Sequence, residues 1–309
     1  MKYYKGTPDF KIEEPSAVSL GKFDGLHLGH KYLLEELKSG KKQGLKSVIF
    51  TFDIPPAAVH KPGYKVLSTN REKERIFERA GIDYVIECPF TEDLRRRKPY
   101  EFMKMLTEKI AVRRIAAGPD FRFGVNRSGG FAELKQYAGE FGYEAVLVDK
   151  LQHEGSDISS TRIRALIEQG KMEEANYLLG YDYFLLAKVE HGNEIGRTIG
   201  FPTANLIPPE EKLLPPNGAY ISRVDVDGRE YNGISNIGVK PTIHGHYPVS
   251  IETYLYDFDE TIYGREIRVS LRHFLRPEQK FDSIQALKEQ IRRDHLAAED
   301  YLAHLHTRN

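Results

Sequence analysis

The sequence predicts an α/β domain built on a parallel sheet, followed by a compact antiparallel β-barrel with one closing helix. Three observations lead there. The first half alternates short β-rich runs with helical segments, the second half has short strands punctuated by turns, and an amphipathic helix ends the chain. At 309 residues the chain also exceeds the size at which a single hydrophobic core stops growing, so two cores of roughly 150 residues each are expected.

The β-rich runs of the first half fall at 17–20, 47–52, 84–87, 114–117 and 144–148, with helices from about His30, over 71–80 and over 99–109. Strands separated by helices of about ten residues indicate βαβ units and a parallel sheet covered on both faces. Ligands of such sheets bind beyond the carboxyl ends of the strands, where the glycine-bearing loops 21–29 and 118–130 fall. A helical segment over 161–179 stops at Gly180. The domains are therefore expected to be 1–182 and 183–309. Strand signals at 184–190, 219–226, 229–236, 249–256 and 266–274, without helices between them, predict the barrel. The helix over 283–305 places Ile284, Leu287, Ile291, Leu302 and Leu305 at helical spacing for packing against it.

Composition narrows the function classes. With 45 basic and 45 acidic residues the formal charge is zero, which gives no electrostatic footprint for nucleic acid or an anionic membrane. No apolar run approaches the roughly 20 residues of a membrane helix, and the N-terminal stretch lacks signal-peptide character, so a cytoplasmic protein is expected. The single cysteine, Cys88, forms neither an intrachain disulfide nor a cysteine metal site, and its neighbours suggest a buried strand end. The basic run 95–98 reads as a solvated helix end.

Two constellations bear chemistry. Residues 21–30, GKFDGLHLGH, follow a predicted strand and open a predicted helix, a phosphate-binding context to which Gly21, Phe23, Gly25 and Gly29 belong. His27 and His30 lie on one side of a helical turn, where both imidazoles can donate to one triphosphate. This HxGH arrangement belongs to nucleotidylyl transfer, whose phosphate nucleophile is already ionised and needs charge neutralisation rather than a base. A zinc site or a chance surface pair are the alternatives. Residues 158–164, ISSTRIR, form a second helix start, with Arg162 or Arg164 available to β- and γ-phosphates. The other constellation is 196–205, GRTIGFPTAN, in which an extended chain puts Thr203 and Asn205 on one side for Mg²⁺ or its phosphate ligands. Downstream, Glu252 points away from the aliphatic face of its strand and suits a general base for a hydroxyl nucleophile.

The motifs GKFDGLHLGH, AGPDFRFG at 117–124 and ISSTRIR resemble, in order and spacing, the adenylyltransferase module of bacterial bifunctional riboflavin kinase/FAD synthetases. The PTAN tetrapeptide, the Glu252–Thr253 strand, the segment 236–242 and the run 275–283 closely resemble the riboflavin kinase module of the same family. The resemblance implies a Rossmann-like nucleotidyltransferase domain, a six-stranded flavokinase barrel, and conversion of riboflavin to FMN and of FMN to FAD with ATP and Mg²⁺. It implies His27 and His30 at the ATP phosphates, with Ser159, Thr161 and Arg162 as a phosphate clamp. It places Asp120 and Phe121 in a flavin-side loop, Thr203 and Asn205 at Mg-ATP, Glu252 as catalytic base and Arg276 beside the flavin; Gly196, Arg197 and Gly200 belong to the kinase nucleotide loop. The implied partners are small molecules, neither nucleic acid nor membrane, and the oligomeric state is open. Lys22 stands where the family usually has Asn, and the run 52–56, FDIPP, has Pro55 where the family has histidine. These departures favour a second reading, in which the first domain is a weakly active or sensing nucleotide/flavin-binding module beside a working kinase.

Overall fold

The computed structural model describes residues 1–309 except 57, 60, 193–199, 240–248 and 307–309, together with the side chains of 305 and 306. The chain packs as two compact units, Met1–Ser160 and Thr161–Asn309.

In the first unit, β1 (Lys2–Lys5), β2 (Ile12–Leu20), β3 (Lys46–Phe52), β4 (Tyr84–Cys88), β5 (Ile110–Ala117) and β6 (Glu144–Leu147) form one sheet in the order β1-β4-β3-β2-β5-β6. Every pairing in it is parallel. Helix α1 (Leu28–Ser39) follows β2, α2 (Asn70–Arg79) follows β3, α3 (Glu92–Arg96) and α4 (Pro99–Lys109) follow β4, and α5 (Phe131–Phe141) joins β5 to β6. A short hairpin, β7 (Gln152–His153) and β8 (Ser156–Asp157), precedes the end of the unit. Consecutive strand residues feed opposite faces: Val18, Phe50, Ile86 and Ile115 enter one core with Met103 and Leu106. Their neighbours Ala17, Ile49, Val85 and Ala116 enter the other with Leu37 and Phe77. The twofold side-chain period of a strand covered on both sides produces this division. Thr69 and Glu72 close a reciprocal capping box at the start of α2.

The chain builds outward from β2 through β3 to β4, then returns to place β5 on the opposite side of β2. That reversal opens a crevice beyond the carboxyl ends of β2 and β5, and the loops 21–29 and 118–130 follow those two ends as the sequence predicts. Strand β1 and helix α5 were absent from the sequence expectation. Cys88 ends β4 and is buried, its thiol pushed up to about 11 by burial. The basic run 95–98 spans the end of α3, where exposed Arg96 and half-buried Arg97 pair with Glu92 and Asp93 one turn back.

In the second unit, α6 (Ser160–Glu168, its first residue in the first unit) and α7 (Met172–Leu179) precede the barrel. The single helix predicted over 161–179 is thus two, because Gly170 adopts φ +73° and ends the first of them. Strands β9 (Tyr183–Glu190), β10 (Thr203–Leu206), β11 (Gly218–Val226), β12 (Arg229–Val239), β13 (Val249–Leu255) and β14 (Glu266–Pro277) close in the order β10-β13-β12-β11-β14-β9, all antiparallel. Inside, the buried hydroxyls of Ser222, Ser235 and Thr253 satisfy one another at 2.9 and 2.8 Å. Outside, α8 (Ile284–His306) buries Ala298 and Leu302 against Ile221. Ile284, expected against the barrel, is instead exposed, because it is the first residue of the helix and precedes the packed turns.

The division between the compact units falls at 160/161. Helix α7 is built onto the barrel: the Asn176 side chain donates to Leu271 O at 2.9 Å and accepts from Tyr183 N at 2.7 Å, and Glu173 pairs with His273.

Candidate functional site

Between β2 and α1 the chain is wound tightly, with Phe23 at φ 48° and Leu26 at φ 37°, in the left-handed region that bulky residues avoid. Burial holds them there: Phe23 is 1% exposed and meets Phe77 of α2 edge-on at 5.7 Å, and Leu26 is buried too. Asp24 ties the loop to its surroundings, its Oδ1 accepting from Leu67 N at 2.7 Å and Ser68 N at 3.2 Å, and its carbonyl from the Ser160 hydroxyl at 2.8 Å. His27 caps α1 in extended conformation, and its ring lies 3.9 Å from that of His30. Gly29 makes room for this pair, since a Cβ there would come within 3.1 Å of the His27 ring.

Both histidines are held as neutral bases. Burial pushes His27 down to about 4 and His30 well below the ordinary histidine value, with the neighbouring His27 adding to the effect on His30. The Nδ1 of each is buried without a hydrogen-bond partner. The pair stands at a helix N-terminus beyond the carboxyl end of β2, the end of a parallel sheet at which ligands bind. Among the described residues no cluster of His, Cys, Asp or Glu is arranged to hold a metal, so the zinc alternative has no third ligand. Ser159 belongs to the same unit, whereas Thr161 and Arg162 belong to the second, where Arg162 pairs with Glu174 at 3.3 Å. In the loop after β5, Phe121 stacks on Phe123 at 5.4 Å and 16°, and exposed Asp120 pairs with Lys150. A hollow of about 580 Å³ along α1 and β6 contains neither histidine.

In the second unit, barrel register aligns the kinase candidates. Asn205 of β10 is opposite Glu252 of β13, Glu252 opposite Asn236 of β12, Asn236 opposite Ala219 of β11, and Ala219 opposite Arg276 of β14. Directly paired residues point to the same face of a sheet, so this row crosses five strands on one side. Thr203, two residues before Asn205, shares that side and is opposite Tyr254. A cavity of about 270 Å³ opens over this face, lined by Thr203, Asn236, Glu252, Tyr254 and Arg276 and closed by Phe281 and by Leu287, Ile291 and His295 of α8.

Arg276 is fixed in place: its guanidinium clasps the buried Asp294 carboxylate of α8, with contacts of 2.7 to 3.1 Å. Gly192 makes a comparable allowance on the other side, where a Cβ would overlap the Asn205 amide. Thr203 and Asn205 supply neutral oxygens, a donor set that suits Mg²⁺ with its remaining positions filled by phosphate and water. Gly200 is described; Gly196 and Arg197 lie outside the described residues, as does 240–242 of the 236–242 segment. Sequence reasoning missed Asn236 and Asp294. Asn236 is quoted in a family segment but only the register puts it beside Glu252, and Asp294 is an unremarkable helix residue until Arg276 is seen against it.

The comparisons agree with this division. A family model described as FAD synthetase matches residues 9–162, and one described as riboflavin kinase matches 179–302. A bifunctional riboflavin kinase/FMN adenylyltransferase of Listeria monocytogenes is 35% identical over 304 residues, covering 97% of this chain and 96% of the relative. Its counterpart in Escherichia coli K12 is 35% identical over 295 residues, covering 94% and 93%. A crystal structure from Streptococcus pneumoniae, described as a macrolide-efflux protein, superposes with a TM-score of 0.86 at 31% identity, covering 96% of this chain and 98% of that one. Among the described residues of the present chain, no helix is long and apolar enough to cross a membrane. A barrel carrying an in-register Asn–Glu row, a parallel sheet ending in a buried histidine pair, and full-length identity of this order together identify the chain as a member of the bifunctional riboflavin kinase/FMN adenylyltransferase family.

Proposed function

We propose that the chain phosphorylates riboflavin to FMN at the barrel site and adenylylates FMN to FAD at the histidine site. The observation that supports this most is the register pairing of Asn205 with Glu252, which lines the barrel cavity, together with a separate histidine pair in the first unit. The two chemistries need different equipment. A ribityl hydroxyl is neutral and must lose its proton as it attacks the γ-phosphorus of ATP; Glu252 accepts that proton, and the γ-to-β bridging bond breaks to release ADP. Thr203 and Asn205 hold Mg²⁺, which when bound offsets charge on the transferred phosphoryl group. Arg276, locked by Asp294, borders the flavin at the far end of the row.

In FMN the attacking oxygen belongs to a phosphate already ionised at neutral pH. It attacks the α-phosphorus of ATP, the α-to-β bridging bond breaks, and pyrophosphate leaves. His27, His30 and the first turn of α1 receive the charge of that leaving group. Ser159 joins them, and the family resemblance gives Thr161 and Arg162 the same role, with Asp120 and Phe121 on the flavin side. The nucleotide loop of the kinase comprises Gly196, Arg197 and Gly200. The adenylyltransferase assignment covers 1–182 and the kinase assignment 183–309, although α6 and α7 are packed with the barrel. A cytoplasmic setting, with small-molecule substrates and no nucleic-acid partner, accords with the zero net charge.

Reciprocal variants test the assignment. Glu252→Ala is expected to slow riboflavin phosphorylation by about 100- to 10,000-fold while leaving FMN adenylylation intact. The double variant His27→Ala/His30→Ala is expected to slow adenylylation by at least about 100-fold with unchanged kinase turnover. Loss of both activities in either folded variant would contradict two independent sites.

A further inference from the structure

Two cations at the reversal point of the first sheet have no role in the account above. Lys22 comes two residues after the end of β2, and Arg127 lies in the loop that follows β5, so the adjacent carboxyl ends of these strands deliver one cation each to the same crevice. Among the described residues, neither side chain has a hydrogen-bond or ion-pair partner. Arg127 and the preceding Asn126 both adopt left-handed backbone, with φ 58° and 54°. Strain of that kind persists only where the surroundings fix it. Here Val125 N donates to Arg97 O at 2.7 Å, and Phe123 and Gly129 exchange backbone hydrogen bonds of 3.0 and 2.9 Å across the loop. Lys22 is exposed by surface area, yet burial around its ammonium lowers its pKa, Arg127 lowers it further by repulsion, and Asp24 opposes both.

We propose that Lys22 and Arg127 together bind the 5′-phosphate of FMN, the nucleophile of the adenylyl transfer. Two like charges brought together on separate loops are stabilised by an anion between them, and the substrates offer a phosphate monoester and a triphosphate. The triphosphate has its receptor in His27, His30 and the α1 N-terminus. The Arg127 loop also carries Phe121, half-buried and stacked on the buried Phe123, and the open face of Phe121 suits a flavin ring, which makes the flavin phosphate the anion for this pair. Lys22 thereby makes a direct charge contact where the family usually has an uncharged Asn.

The inference rests on the adenylyltransferase reading, and the test separates the two: the wild-type rate of FAD formation reports on the reading, whereas the change in KM between variants reports on the pair. Full-length wild type, Lys22→Gln, Arg127→Gln and the double variant are assayed with FMN varied at saturating ATP and with ATP varied at saturating FMN. Each single variant is expected to raise the KM for FMN about tenfold and the double variant about 100-fold. The KM for ATP should stay within about twofold, and riboflavin phosphorylation, assayed as a folding control, should not change. Lys22→Arg should restore the KM for FMN, since it keeps the charge. An unchanged KM for FMN in the double variant overturns the proposal, and so does a rise confined to the KM for ATP, which would assign the pair to the triphosphate.

Discussion

His27 and His30 show how burial equips a side chain for one task at a cost elsewhere. His27 holds a proton in the folded chain only near pH 4, against an ordinary value of 6.5. The unfolded chain therefore takes up this proton first as the solution is acidified. The stability contributed by the neutral ring is complete above about pH 6.5 and is lost progressively down to about pH 4; the shift corresponds to roughly 3 kcal/mol. Thermal melts at pH 7.5 and pH 5.0 check this: the drop in melting temperature should be smaller in His27→Gln than in wild type, and an equal drop would contradict it. At this level the sequence was legible where spacing implies geometry. HxGH needs only one helical turn to bring its rings together, and PTAN needs only an extended strand to align Thr203 with Asn205. Asn236 and Asp294 were not legible, because their relation to Glu252 and Arg276 depends on cross-strand register and helix docking between segments far apart in the chain.

Strands were easier to read than their boundaries. The buried runs of β3 and β4 announce themselves by continuous apolar residues, whereas β1 is only four residues long and mostly polar, so no pattern distinguishes it from a loop. Helices α6 and α7 form one pattern in the sequence because their apolar positions continue across Gly170, and the left-handed conformation there separates them. Their packing changes the expected domain fragment. Met172, Ala175, Leu178 and Leu179 are all buried, and Asn176 satisfies backbone groups of β9 and β14. A fragment starting at Tyr183 removes these residues from the barrel, whereas one starting at Thr161 retains them. The 161–309 fragment is therefore expected to fold and keep kinase activity with a higher melting temperature than 183–309, by several degrees or more. Circular dichroism melts of the two decide it; equal stability would mean that α7 contributes nothing to the barrel.

Across the whole chain, the order of modules matches the order of the proposed reactions only in reverse: the kinase that makes FMN lies after the adenylyltransferase that consumes it. Each unit is compact by itself and carries one of the two proposed sites, and family membership covers both. Fold class was legible because alternating and meandering element patterns persist over a hundred residues or more, long enough for local ambiguities to average out. What Pro55 and Lys22 do to the first site was not legible from motif comparison, since a missing histidine and an added lysine act in opposite directions on a phosphate site. The direct test is a time course of the purified full-length protein with riboflavin, excess ATP and Mg²⁺, with riboflavin, FMN and FAD separated by chromatography. FMN should rise first and FAD should follow at its expense, with supplied FMN converted to FAD without a lag. Accumulation of FMN with no FAD, from either starting flavin and with reduced flavin also tried, would contradict the two-reaction account and leave the first unit as a binding module.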